Sequence, residues 1–184
     1  LEEYLILVND LNQQIGVAPK MLVHQKGLLH RAFSVVLIAQ EISDHKNSEG
    51  GPFFLMQQRS LDKYHCPGLW SNACCGHPRP GEPAQRAAIR RLEEELNIKN
   101  PDLKKIAHFK YKKKVGNDLV EHEWDHVFLG RYRSCSFMIK PNPMEVSDYR
   151  WIPLKELVRL VKSEPHLFTP WLPEVLSTII AFGI

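Results

Sequence analysis

Residues 76–97 constrain this chain more than any other stretch. Gly76, five residues, Glu82, seven residues, Arg90 and then Glu94-Glu95 describe a loop that runs into a carboxylate-bearing helix. Pro83 suits the first turn of that helix, where its missing N–H leaves no bond unmade. Ala84, Ala87, Ala88, Leu92 and Leu96 fall at helical spacing, so a helix is expected over Pro83–Leu96. Arg91, Glu94 and Glu95 stand at i, i+3 and i+4 and share one side of it. A glycine loop feeding such a helix suits a divalent cation held against a diphosphate, because hard cations take oxygen ligands. Just ahead lies Asn72-Ala73-Cys74-Cys75-Gly76-His77-Pro78, adding a thiol and an imidazole that cation-and-diphosphate chemistry does not itself require.

The rest of the chain reads as alternating strands and helices. Tyr4–Val8 is a short strand closed by Asn9-Asp10, and His30–Ala39 is a nearly continuous apolar run that predicts a central strand. Ser43–Gly51 reads as a polar hairpin loop leading to a strand at Phe53–Met56, and Leu61–Leu69 as irregular. Phe109–Val115 and Leu119–Tyr132 form a hairpin around Gly116-Asn117-Asp118. Along its second strand Glu121, Glu123 and Asp125 point to one face. Leu154, Leu157, Val158 and Val161 predict a short amphipathic helix, and a last helix is expected over Trp171–Phe182. The expectation is one mixed α/β (α+β) domain spanning residues 1–184, with a core at about 28–162 and a C-terminal helix at about 171–182.

Bulk properties narrow the function. At 184 residues the chain supports one domain with a proper core. A net charge of +3, from 24 basic and 21 acidic residues, speaks against a nucleic-acid partner. No segment approaches the ~18 apolar residues of a membrane span, so no membrane partner is expected. The start, Leu1-Glu2-Glu3-Tyr4, lacks a secretory pattern, and Cys66, Cys74, Cys75 and Cys135 read as reduced thiols, so the expected location is cytoplasmic. A monomer is expected.

Several constellations carry chemistry. His24, His30, His77, Glu121 and Glu123 are metal candidates: carboxylates at i and i+2 on a strand face the same way, and three histidines favour Mn²⁺ or Zn²⁺ over Mg²⁺. Taken singly, each histidine also reads as a surface residue, and the two carboxylates as a solvated strand face. Glu95, with Glu82 and Glu94, is a second cation candidate, competing with a solvated helix face. Cys75 reads as a nucleophile or acid/base, with Cys74 packed on the opposite side of an extended segment. A thiol beside a cation and His77 would have a lowered pKa. Lys20, Arg59 and Lys63 are candidate phosphate clamps. Lys110–Lys114 reads as a solvated edge strand from which Tyr111 faces inward. Trp171 reads either as core or as a π-face for a cationic intermediate.

Together these residues resemble the type I isopentenyl-diphosphate isomerase family of the Nudix superfamily. The resemblance runs through Lys20, Gly27-Leu28-Leu29-His30-Arg31-Ala32-Phe33-Ser34, Gln58-Arg59-Ser60, Pro67-Gly68-Leu69-Trp70-Ser71-Asn72, Cys75-Gly76-His77-Pro78, Glu121-His122-Glu123 and Thr169-Pro170-Trp171. It implies a Nudix-like mixed sheet sandwiched between helices. It also implies a reversible 1,3-proton shift between isopentenyl and dimethylallyl diphosphate, a small-molecule substrate. By resemblance, Cys75 is the catalytic thiol and Glu123 the catalytic carboxylate, with Tyr111 and Trp171 as active-site aromatics. His24, His30, His77, Glu121 and Glu123 would hold a tightly bound Mn²⁺ or Mg²⁺, with Zn²⁺ also compatible. Glu95 would bind the Mg²⁺ that bridges to the diphosphate, with the Cys75 carbonyl, and Lys20, Arg59 and Lys63 would contact the diphosphate.

Two positions depart from the Nudix box. Arg91 stands where a glutamate is expected, and Asn97 where a glycine is expected. Hydrolases of the fold use box carboxylates to hold the metals that activate water, so an arginine there removes a ligand and adds a repelling charge. The resemblance therefore implies binding of a diphosphate without its cleavage. A diphosphate hydrolase, and a non-catalytic zinc or redox module built from Cys66, Cys74, Cys75 and His77, are the alternatives.

Overall fold

The computed structural model describes residues 2–42, 51–116, 118–134 and 138–184. Its elements are, in chain order, β1 (Tyr4–Val8), β2 (Gln14–Pro19), α1 (Lys20–Lys26), β3 (His30–Glu41), β4 (Phe53–Arg59), β5 (Trp70–Asn72), β6 (Cys74–Gly76), α2 (Ala84–Leu96), β7 (Lys104–Lys114), β8 (Val120–Ser134), β9 (Val146–Pro153), α3 (Leu154–Ser163), a 3-10 turn at Pro165–Leu167 and α4 (Leu172–Ala181). The expected Ser43–Gly51 loop falls, except for Gly51, outside the described residues, as do Cys135 and Asn117.

β3 organises the sheet. On one side it runs parallel to β8, from His30 opposite Glu123 to Ala39 opposite Tyr132. Its other partners are antiparallel: β1 at Leu7–His30, β6 at Phe33–Gly76 through Val35–Cys74, and β4 at Ile38–Phe54. β4 continues to β5 and β9, and β7 pairs β8 at the edge. A strand with neighbours on both sides and layers on both faces reads as a nearly continuous apolar run, here interrupted by Ser34. Residues 32–39 are accordingly all buried.

Alternation along β3 divides the core in two. Phe33, Val35 and Leu37 pack with Ala87, Ala88, Leu92 and Leu96 of α2. Val36 and Ile38 face the other way, against Leu157 of α3 and Leu172, Val175, Leu176 and Ile179 of α4. The sheet is therefore sandwiched between α2 and the α3–α4 pair. Leu92 is fully buried, and cutting it to alanine would cost about 2–5 kcal/mol in transfer and cavity terms.

α2 begins one residue after Pro83 and ends where its sequence pattern does. Asn97 takes a left-handed conformation with φ 56°, and its N–H bonds Glu93 O, while Ile98 N–H bonds Leu92 O. Asparagine is the other residue that tolerates this cap, so the departure from glycine leaves the geometry intact. α4 likewise starts at Leu172, with Trp171 at its head. β7 begins at Lys104 rather than Phe109. β2, α1, β5, β6 and β9 have no counterpart in the sequence expectation. Four of them are short, and β9 reads Val-Ser-Asp-Tyr-Arg-Trp-Ile-Pro, with too little alternation to stand out. No described helix is long and apolar enough to cross a membrane.

Candidate active site

A cavity of about 860 Å³ opens beside β3. Its lining includes Cys75, His77, Glu121, Glu123, Tyr111 and Trp171, together with the cationic side chains Lys20, Arg59, Lys63 and Arg91. Gly76 allows β6 to lie close to β3, because a Cβ there would come 3.0 Å from Phe33 Cζ.

Four side chains from four segments converge. One ligand atom from each of His24, His30, His77 and Glu121 lies within 4.8 Å of every other. His24 comes from α1, whose turn lets its ring nitrogen Nδ1 donate to Lys20 O at 2.7 Å. His30 opens β3 and bonds Leu28 O through Nδ1 at 2.8 Å. These backbone bonds turn both Nε2 atoms inward as lone pairs, the orientation that metal-ligating histidines need. His24 Nε2 then stands 3.2 Å from Glu121 Oε2, and both atoms are buried without a hydrogen-bond partner. Two such acceptors face each other stably only across a cation or a proton. The donor set of three imidazoles and carboxylates fits a divalent metal of the Mn²⁺ or Zn²⁺ kind.

Glu123 adjoins this group. Its Oε1 is 2.9 Å from His77 Nε2 and 3.6 Å from His30 Nε2. Its Oε2 accepts the Tyr111 O–H at 2.7 Å. Burial pushes the Glu123 carboxyl up, as does Glu121, but the histidine contacts outweigh them and hold it below its ordinary value. Glu121 behaves alike: burial raises it, and His24 and His65 bring it well below the usual range. Burial chiefly lowers His77, to about 4, so its ring stays neutral as a ligand requires.

Cys75 reaches the cavity from the opposite flank of β3. Its thiol donates to Asn72 Oδ1 at 3.2 Å and lies 3.5 Å from Ser34 Oγ. Ser34 in turn donates to Asp125 Oδ2 at 2.7 Å. Burial, followed by the Asp125 carboxyl, pushes the thiol up to about 12. The packing by itself thus opposes a thiolate, which would lose its water and face a carboxyl, whereas the lowered pKa expected from the sequence applies to a thiol beside a bound cation. Burial and Glu123 also raise Asp125 well above its ordinary value. Trp171 is 3% exposed and donates its indole N–H to Ser71 Oγ at 3.1 Å.

The cationic side is already arranged in pairs. Lys20 Nζ bonds Glu3 at 2.6 Å, and Lys63 bonds Glu145. Arg59 is held by the carbonyls of His65 and Cys66, at 3.0 and 3.2 Å, and its guanidinium lies 5.5 Å from the Trp171 ring. Arg91 bonds both Glu95 and Glu145. Glu95 is 2% exposed and its other oxygen accepts from Gln57 at 2.9 Å. Arg90 binds Glu82 and Glu94, at 2.8 and 3.2 Å, and Arg91 also pairs with Glu94 at 2.8 Å, so all three carboxylates of the second cation candidate, Glu95 included, are engaged by arginines.

Tyr111 is buried while Lys110 and Lys112 on either side of it are exposed, as alternation predicts; Lys113, two residues on, is exposed at the strand's end. Cys74 is buried against α2, and no cysteine joins the converging ligand group among the described residues, which argues against the zinc-module alternative. Sequence reasoning missed His65, Glu145, and the Ser34–Asp125 and Ser71–Asn72 bonds. Ser34, Ser71 and Asn72 lie inside quoted motifs, whereas His65 and Glu145 sit in irregular segments where no periodicity marks them.

Comparison with known proteins follows this geometry. The NUDIX domain family matches residues 28–175. An isopentenyl-diphosphate Delta-isomerase of Photobacterium profundum is 42% identical over 98% of this chain and 96% of its own length. An isopentenyl-diphosphate Delta-isomerase 2 of Photorhabdus laumondii is 42% identical over 96% of this chain and 92% of its own. The crystal structure of DR0079 from Deinococcus radiodurans superposes with a TM-score of 0.72 at 18% identity, covering 95% of this chain and 98% of that one, a likeness of fold alone. A match over most of the chain, together with relatives this similar from end to end, settles membership: the chain belongs to the NUDIX domain family and, within it, to the isopentenyl-diphosphate Delta-isomerases.

Proposed function

We propose that this protein interconverts isopentenyl and dimethylallyl diphosphate by a proton shift. The observation that carries the reading is the placement of Cys75 and Glu123 on β6 and β8, which flank β3 on opposite sides, in one cavity with Trp171. One of the two groups delivers a proton to the terminal CH₂ of the alkene, leaving a tertiary cation. The other removes a proton from the allylic carbon, and reversing the reaction exchanges their roles. Tyr111 holds the Glu123 carboxylate, and Asn72 with Ser34 holds the thiol. The Trp171 ring offers its π-face to the positive charge, and burial of this part of the cavity keeps water from quenching it.

Lys20, Arg59, Lys63 and Arg91 would bind the diphosphate, with Glu95 holding the Mg²⁺ that bridges to it. His24, His30, His77, Glu121 and Glu123 would hold a second divalent ion, Mn²⁺ or Mg²⁺ with Zn²⁺ also compatible. Ions held by these residues would supply charge neutralisation at the diphosphate and electrostatic support for the Glu123 carboxylate. We take the protein to act as a monomer in the cytoplasm on a small diphosphate. The free state of Cys66, Cys74 and Cys75 supports that location.

Arg91 favours isomerisation over hydrolysis. It occupies a position where a hydrolase places a carboxylate, and it engages Glu95 instead. The test is incubation with isopentenyl diphosphate and Mg²⁺ in D₂O. Dimethylallyl diphosphate carrying deuterium, without phosphate release, is the expected result. Accumulating phosphate or isopentenyl monophosphate, with no allylic product, would overturn the reading in favour of the hydrolase.

A further inference from the structure

We propose that His65 is a positioning residue that fixes how Glu121 presents itself to the cation. The inference rests on reading His24, His30, His77 and Glu121 as a metal group, and it concerns a residue outside that group. His65 is 8% exposed and its Nε2 lies 2.8 Å from Glu121 Oε1. With Nε2 as the N–H donor, its other ring nitrogen, Nδ1, is a lone pair, and it is buried without a hydrogen-bond partner. The two oxygens of Glu121 are thus sorted. Oε1 is held by His65, whereas Oε2 has no hydrogen-bond partner and faces His24 Nε2 at 3.2 Å and His30 Nε2 at 3.9 Å.

A carboxylate free to turn can offer either oxygen, or both, to a metal. One held on a single oxygen offers the other, in one direction. His65 is itself well fixed. Its carbonyl accepts from Arg59, and Cys66 after it takes a left-handed turn with φ 48°. Its ring packs 4.2 Å from that of Tyr64 and 5.8 Å from that of Trp171. A rigid donor against one oxygen leaves a one-oxygen ligand within a histidine-rich set.

Two substitutions separate the hydrogen bond from the packing. His65→Phe keeps a ring against Tyr64 and Trp171 but has no N–H. His65→Gln loses the ring and keeps a side-chain N–H of similar reach. The metal-free full chain is titrated with Mn²⁺, bound and free ion being distinguished by electron paramagnetic resonance, and folding is checked by circular dichroism. The expected result is a loss of about 10–100-fold in Mn²⁺ affinity for His65→Phe, with His65→Gln near wild type. The proposal is overturned if His65→Phe binds as tightly as wild type, or if His65→Gln loses as much as His65→Phe. A wild-type protein that fails to retain Mn²⁺ overturns the metal-group reading beneath it, and that outcome is visible before either variant is compared.

Discussion

Cys74 and Cys75 are neighbours in the chain and face opposite layers of the molecule. Cys74 is fully buried with Ala88 and Leu92 of α2, while Cys75 lines the cavity with its thiol 3.2 Å from Asn72 Oδ1. The pleat of β6 enforces this division. Cys75→Ala is therefore expected to lower kcat by about 10²–10⁴-fold, the usual worth of a positioned acid or base, with little change in melting temperature. Cys74→Ala is expected to keep most of the activity, and its effect to appear in stability. Steady-state kinetics beside thermal melts decides the matter, and loss of kcat confined to Cys74→Ala would show the wrong thiol had been chosen.

Much of this division was legible in advance, because alternation along an extended segment needs no tertiary information. The same holds for Glu121 and Glu123 on β8 and for Tyr111 on β7. Legibility failed where position depends on distant packing. The grouping of His24 with Glu121 was expected and the structure brings them together, but helix α1, which carries His24 there, was not, since a seven-residue helix carries too little periodicity. Glu145 is likewise placed by a loop whose backbone is tied to α2, through Asn142 N–H to Glu95 O at 2.9 Å and Lys140 N–H to Leu96 O at 3.0 Å. The pairing of Glu82 and Glu94 with Arg90 shows the limit of helical spacing as a guide. Spacing placed Glu94 and Glu95 correctly on α2, with Glu82 just ahead of it, but it did not say that Arg90 would bridge Glu82 to Glu94 while Arg91 engages Glu95.

The two cation sites are separable. His77→Ala and Glu121→Gln each remove a donor from the converging group, and each is expected to reduce tightly bound metal in elemental analysis after dialysis. Glu95→Gln is expected to leave that metal in place, and to raise the Mg²⁺ concentration required for half-maximal activity together with KM for the diphosphate. Loss of the tight metal in Glu95→Gln would merge the two sites into one.

A pH dependence of stability follows from His126, on the opposite face of β8 from Glu123 and Asp125. It is 6% exposed, and burial first, then Lys105 and Arg31, lower it from 6.5 to about 4. The folded state therefore binds fewer protons than the unfolded chain between those values. Stability from this group is complete above pH 6.5 and is lost as pH falls toward about 4. His126→Gln, which does not titrate, is expected to lose less stability than wild type between pH 7 and pH 5 in urea unfolding. Equal losses in the two proteins would remove His126 from the account of acid sensitivity.

Trp171 tests the cationic intermediate. Its ring is 3% exposed, its N–H bonds Ser71, and it packs in the same core as Leu172 and Val175 of α4. Both Trp171→Phe and Trp171→Leu shrink the side chain and abandon the Ser71 bond, so each is expected to destabilise the fold by about 2–4 kcal/mol through the cavity left behind. Stability alone therefore does not separate an indole that acts from one that fills space. Rate does. Phenylalanine keeps an aromatic face of weaker quadrupole, whereas leucine keeps apolar volume with none. If the ring supports a developing positive charge, kcat of the folded protein falls in the order wild type, Phe, Leu, and a cation–π contribution of about 1–2 kcal/mol corresponds to roughly 5- to 30-fold between the extremes. KM should move less, because the charge is absent from the bound substrate. The measurement is kcat on protein shown to be folded at the assay temperature, and equal kcat in all three proteins would leave Trp171 as a core residue only.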